Sequence, residues 1–133
     1  MKNVGAVVCT LLIVTAPSLA AERMKAGQWE LTITEGGHSH TTTECDTEEK
    51  VKAANGTPEE VRTAVEQRAA AMNCTIKNFK MDGDTVSYTT ACTTFSMDNK
   101  ISYHGDSMET ETTMKGSGGA SRIVKARRLG ACP

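Results

Sequence analysis

The chain has little from which to build an apolar interior. From Ala21 onward only 13 of 113 residues are Leu, Ile, Val or Phe, below the roughly 20% that accompanies disorder when net charge is also high. It also lacks a strong charge of either sign: over the same span 14 basic residues stand against 16 acidic ones. That balance argues against nucleic acid as a partner. The basic stretch Arg122, Lys125, Arg127 and Arg128 reads as a solvated strand face. No Cys-x-x-Cys pair exists, which argues against a zinc ribbon and against a thiol–disulfide oxidoreductase. No Gly-x-Ser-x-Gly elbow exists either, and the three histidines have no catalytic signature around them. The acidic pairs Glu48-Glu49 and Glu59-Glu60 fall at helix starts, where the dipole favours negative charge. The expectation is a non-enzymatic protein without a cofactor.

Long apolar runs are missing except at the beginning. Lys2 followed by the apolar stretch Val4 to Ala16 and by Ser18-Leu19-Ala20 has the order of a secretory signal peptide, residues 1–20, cleaved after about Ala20. The stretch is shorter than the roughly 20 residues of a membrane span. Residues 21–133 are then one periplasmic or secreted domain with no membrane span. Cys9 leaves with the leader, and Cys45, Cys74, Cys92 and Cys132 remain. An even count after export implies two disulfides with three connectivities. Cys74 and Cys92 stand symmetrically about Asp82-Gly83-Asp84. A hairpin with that three-residue loop places them opposite one another, within bridging reach, and elimination leaves Cys45–Cys132. Bridges closing loops of 15 and 100 residues contribute about 3 and 4.7 kcal/mol, against about 5–15 kcal/mol for a whole domain. With so sparse a core, they decide whether the chain folds.

What the chain does have is threonine and alternation. Trp29, Leu31 and Ile33 alternate with Glu30, Thr32 and Thr34, the period of a half-buried strand. Gly36-Gly37 turns the chain into a Thr-rich second strand ending at Cys45. Asp46 is placed to cap a short helix through Ala54, ended by Asn55-Gly56. Thr57-Pro58-Glu59-Glu60 starts a second helical segment. Its stripe Val61, Ala64, Val65, Ala69 and Met72 is suited to pack on a sheet. Hairpins follow: Cys74 to Met81 with Thr85 to Thr94, a turn candidate at Asp98-Asn99, and a Gly-first loop at Gly105-Asp106 that places Tyr103 across from Met108. Arg122 to Leu129 is the last strand. The fold class is mainly antiparallel β: a curved meander or partly closed barrel of about seven strands, with a helical insertion after strand two. A Cys45–Cys132 bridge would draw the sheet's ends together, favouring curling.

Gly27-Gln28-Trp29-Glu30, Cys45, Cys74 and Cys92 about a Gly-centred hairpin, Tyr103-His104-Gly105-Asp106-Ser107-Met108, and Arg128-Leu129-Gly130-Ala131-Cys132 occur in an order that resembles a bacterial exported family, domain of unknown function 3617. The resemblance implies a small periplasmic or secreted protein and transfers no catalytic residue. Trp29, Arg127 and Arg128 read as structural residues, Trp29 filling the core; as an alternative, Gly27-x-Trp29 with a late arginine is similar to lipocalin-like barrels, which implies Arg127 or Arg128 stacked on Trp29, and a small apolar ligand. His38-Ser39-His40 is the one metal-like pattern. In an extended strand both imidazoles share a face, and His104 is the candidate third ligand, so a periplasmic metal-binding protein is an alternative. The principal expectation is an exported binding or envelope-associated module of unassigned activity, whose partner is an unidentified protein or small molecule.

Overall fold

The computed structural model describes residues 22–116 and 118–133. The signal peptide expected at residues 1–20 lies outside the described residues. Seven strands form one antiparallel sheet: β1 Gly27–Glu35, β2 His38–Asp46, β3 Thr75–Asp82, β4 Thr85–Ala91, β5 Ser96–Tyr103, β6 Ser107–Lys115 and β7 Ser121–Gly130. Their lateral order is β2-β1-β7-β6-β5-β4-β3. The sheet is open, so the partly closed barrel is not formed. Consecutive strands pair as in a meander except β2 and β3, which the helices separate, and the last strand returns to pair with the first. That return leaves β2 and β3 as the two edges.

The Cys45–Cys132 bridge has a different task from the one expected. Cys45 and Gly130 both face Gln28, from β2 and β7 respectively, and Cys132 lies two residues beyond Gly130. The bridge, with 5.5 Å between Cα atoms, therefore clasps the two neighbours of β1 across its first residues. It does not join the edges. Cys74 and Cys92 are bridged with 4.4 Å between Cα atoms, by a route the symmetric three-residue loop did not foresee. The turn is tighter, with Asp82 paired to Thr85 and Gly83 at φ 57°. A bulge restores the register: Asn78 and Phe79 together oppose Tyr88, with Asn78 in the left-handed region at φ 54°.

Asp98-Asn99 does not turn; both residues lie inside β5. Each finds a cross-strand partner that makes the extended conformation favourable. Thr89 Oγ1 donates to Asp98 at 2.8 Å, and Lys115 pairs with the same carboxylate. These two contacts, Lys115 first, hold the Asp98 carboxyl below the usual carboxylate range. Asn99 donates to Thr90 at 3.2 Å and accepts from Thr112 at 3.1 Å. Turn propensity is a local term, and these bonds outweigh it.

Two helices lie between β2 and β3: α1 Glu48–Asn55 and α2 Pro58–Ala70. Thr47 rather than Asp46 caps α1, accepting from the Lys50 amide. Thr57 and Glu60 form a reciprocal capping box on α2. Val61, Val65 and Ala69 are buried as the stripe predicts, but α2 stops at Ala70 and Met72 is 55% exposed. The core gathers around Trp29, Val51, Val61, Val86, Tyr103 and Ala126.

Gly27 sits under the clasp at φ +146°. A Cβ there would lie 2.2 Å from the Gly130 carbonyl oxygen and 2.6 Å from Arg128 Nε. Gly27→Ala should therefore cost at least about 2 kcal/mol from backbone strain and overlap together. An unchanged urea midpoint would show that the β1–β7 end yields more easily than this geometry allows.

Candidate ligand-binding cavity

The helices meet the sheet chiefly at its two edges, α1 beside β2 and α2 beside β3. Between these supports they span the middle strands. The side chains they turn downward are short: Ala53 and Ala54 from α1, and Val61, Ala64 and Val65 from α2. Val51 and Val61 pack into the core with Trp29, Val86 and Tyr103, but such short side chains leave a cavity of about 520 Å³ between the layers. Few large apolar residues are there to fill the space.

The floor is apolar at its centre, made by Val86 on β4, Ile101 on β5 and Met108 on β6. Tyr88, Tyr103 and Thr110 add hydroxyls. Glu44 and Asp46 contribute from β2, with Lys50 3.8 Å from Asp46. Arg68 reaches the cavity from α2 and is exposed. Arg68 forms no ion pair among the described residues, whereas Arg23, Arg62 and Arg127 each do. Burial pushes the Tyr88 phenol up, with Arg68 opposing. Burial also raises Tyr103, with Tyr88 adding to the rise while Arg68 and Arg23 oppose it. Both phenols therefore remain protonated at neutral pH and can act as donors. No buried side-chain nitrogen or oxygen among the described residues lacks a partner. The arrangement suits holding a small molecule: an apolar bed, two phenol donors and one uncommitted cation.

A strap before β1 fixes the roof. Arg23 Nη1 donates to the carbonyls of Ala54 at 2.9 Å and Gly56 at 2.8 Å, capping the end of α1. Asn55 exchanges hydrogen bonds with the Met24 main chain at 3.0 and 2.8 Å. Arg23 was not singled out from the sequence, Asn55 was read only as a helix end, and Arg68, Tyr88 and Tyr103 were not read as cavity residues. Arg23 and Asn55 act on groups more than 30 residues away in the chain, and Arg68, Tyr88 and Tyr103 come from three separate elements, which no local pattern encodes. The stripe on α2 was the one available signal, since it marks which helix face turns to the sheet.

The residues singled out from the sequence lie elsewhere. Trp29 is completely buried and donates Nε1–H to the Lys25 carbonyl at 3.0 Å. Arg128 is its partner on β7 and donates to the Ala26 carbonyl at 2.7 Å, while Arg127 pairs with Glu30 at 2.7 Å. His38 and His40 do share a face of β2 and are exposed. His104 follows β5, four strand spacings away in the sheet, or roughly 19 Å. The three imidazoles do not converge. Among the described residues no group of three or more His, Cys, Asp or Glu is placed to hold a metal ion. No helix among the described residues is long and apolar enough to cross a membrane.

A family model described as "Protein of unknown function (DUF3617)" matches residues 24–132. No curated protein and no solved structure matches the chain.

Proposed function

The chain belongs to the family described as Protein of unknown function (DUF3617), and because that membership carries no activity with it, we propose from the geometry that this is an exported, non-enzymatic binding module. Its ligand is a small amphipathic molecule held between the helices and the sheet. The observation that carries this reading is the half-open cavity of about 520 Å³, apolar at its floor and bordered by Arg68. The apolar body of the ligand lies on Val86, Ile101 and Met108, and an anionic group meets Arg68 beside the two phenols. Export is supported by the leader-like residues 1–20 and by the two disulfides, which persist in oxidising compartments.

Two fluorescent dyes with nearly the same aromatic body test this. Anilinonaphthalene sulfonate is anionic, and N-phenylnaphthylamine is its uncharged counterpart. Both should bind the oxidised protein with enhanced emission. Thr110→Phe fills the floor with a residue that strands favour, and should weaken both dyes by about tenfold or more. Arg68→Gln should weaken the sulfonate by about tenfold, the lower end of the scale for one hydrogen bond to a charged group because Arg68 is exposed, and leave the neutral dye within about twofold. Binding of neither dye, or binding indifferent to Thr110→Phe, would end the cavity reading.

A further inference from the structure

The two edges of the sheet are treated differently by the sequence. Edge strands offer unpaired main-chain groups, and proteins commonly protect them with bulges, lysines, prolines or a covering element. β3 has such protection: a bulge at Asn78-Phe79, Lys77 and Lys80 on the strand, and α2 packed beside it. β2 has almost none. Its register with β1 runs unbroken from Gly27↔Asp46 to Glu35↔His38. It contains no lysine, arginine or proline, and every residue from His38 to Glu44 is exposed.

The direction of the free main-chain groups follows from the turn. Gly36 and Gly37, at φ 57° and 79°, form a two-residue hairpin loop, whose closing pair Glu35↔His38 is hydrogen-bonded. Alternation then sends the amides of even-numbered β2 residues to β1, and those of Ser39, Thr41, Thr43 and Cys45 outward. The Lys50 ammonium, from outside the sheet, lies 3.1 Å from the Cys45 carbonyl oxygen, in agreement with that direction.

This edge is complementary to itself. We infer that two copies of the chain pair antiparallel through β2, about a twofold axis at Thr42, to make one continuous sheet. In this register all nine residues of β2 overlap, and outward-facing Thr41 meets Thr43 of the other copy. About eight main-chain hydrogen bonds become available, those to Cys45 in competition with Lys50. The same register places His40 opposite Glu44 and His38 opposite Asp46 of the other copy. Basic and acidic ends of the strand are thereby matched, and three threonines fill the middle, a favourable cross-strand combination. Glu44 also borders the cavity, so His40 of the second copy stands at its rim.

Sedimentation of the oxidised protein at about 200 µM should give a mass approaching twice that of one chain, falling towards one chain on dilution. Thr42→Lys sets two like charges across the axis and should weaken association by at least about tenfold. Thr41→Pro removes an outward amide without touching the β1 ladder and should do the same. Circular dichroism of both variants should match the parent. Glu44→Lys should weaken pairing, and adding His40→Glu should restore it. A parent protein that stays monomeric at the highest concentration, or a dimer indifferent to both Thr42→Lys and Thr41→Pro, overturns the inference. Dye binding to the cavity is measured separately and does not depend on this outcome.

Discussion

Replacing Cys45 and Cys132 together by serine should destabilise the protein by about 4–5 kcal/mol, the entropy that this bridge removes from the unfolded chain. The two cysteines are 87 residues apart, and the Cys74–Cys92 loop nested between them shortens the closed loop only modestly. The structural context adds to the effect. β1 is held between β2 and β7, and the bridge clasps those neighbours where the crowded Gly27 enters. For a domain of this size the melting temperature should fall by roughly 15–20 °C, and a chain with so few large apolar residues has little left with which to compensate. Removing Cys74 and Cys92, separated by 18 residues, should cost less, about 3 kcal/mol. Urea titrations of both double variants, compared with the oxidised parent, give the two values. A loss under about 1 kcal/mol for the Cys45/Cys132 pair would mean that packing alone holds the β2-β1-β7 side.

Trp29→Ala should cost about 3–5 kcal/mol, the range for removing a buried large aromatic side chain. Trp29 is the largest completely buried side chain, and no other residue near β1 has comparable volume to collapse into the void. Its indole also donates to the Lys25 carbonyl, at the root of the strap that carries Arg23 to the end of α1. Trp29→Phe separates the two contributions. It retains much of the apolar contact and gives up the hydrogen bond, so its cost should be roughly 1–2 kcal/mol. Because the tryptophan is removed, unfolding is followed by circular dichroism. Equal losses for Ala and Phe would place the whole effect in the indole hydrogen bond and none in packing.

Much of this fold was legible because its information is short-range. Alternation from Trp29 to Ile33, the paired glycines at 36 and 37, the cap before Pro58 and the Gly105-Asp106 loop each act over a few residues. The misreadings have one cause. Asp98-Asn99 has turn chemistry, but Thr89, Lys115, Thr90 and Thr112 arrive from neighbouring strands to satisfy it within a strand. The three-residue loop about Gly83 was the simplest way to align Cys74 with Cys92. The chain reaches the same alignment with a tighter turn and a bulge at Asn78. The barrel stays open because β2 and β3, the two edges of the sheet, do not pair with each other and are joined only through the two helices.

The cavity had only a faint trace in the sequence. That α2 would turn Val61, Ala64 and Val65 to the sheet was readable from their spacing; that space would remain beside them over Ile101 and Met108 was not. Residue types and their periods decided the strands, the helices and the bridge partners, because each of these is settled by neighbours in the chain or by pairing rules of fixed geometry. Which strand lies beside which, where Arg68 stands relative to Tyr88 and Tyr103, and which edge is left bare were decided only when distant segments packed. Those outcomes depend on the summed fit of the whole sheet and its helices, a quantity that no single stretch of residues contains.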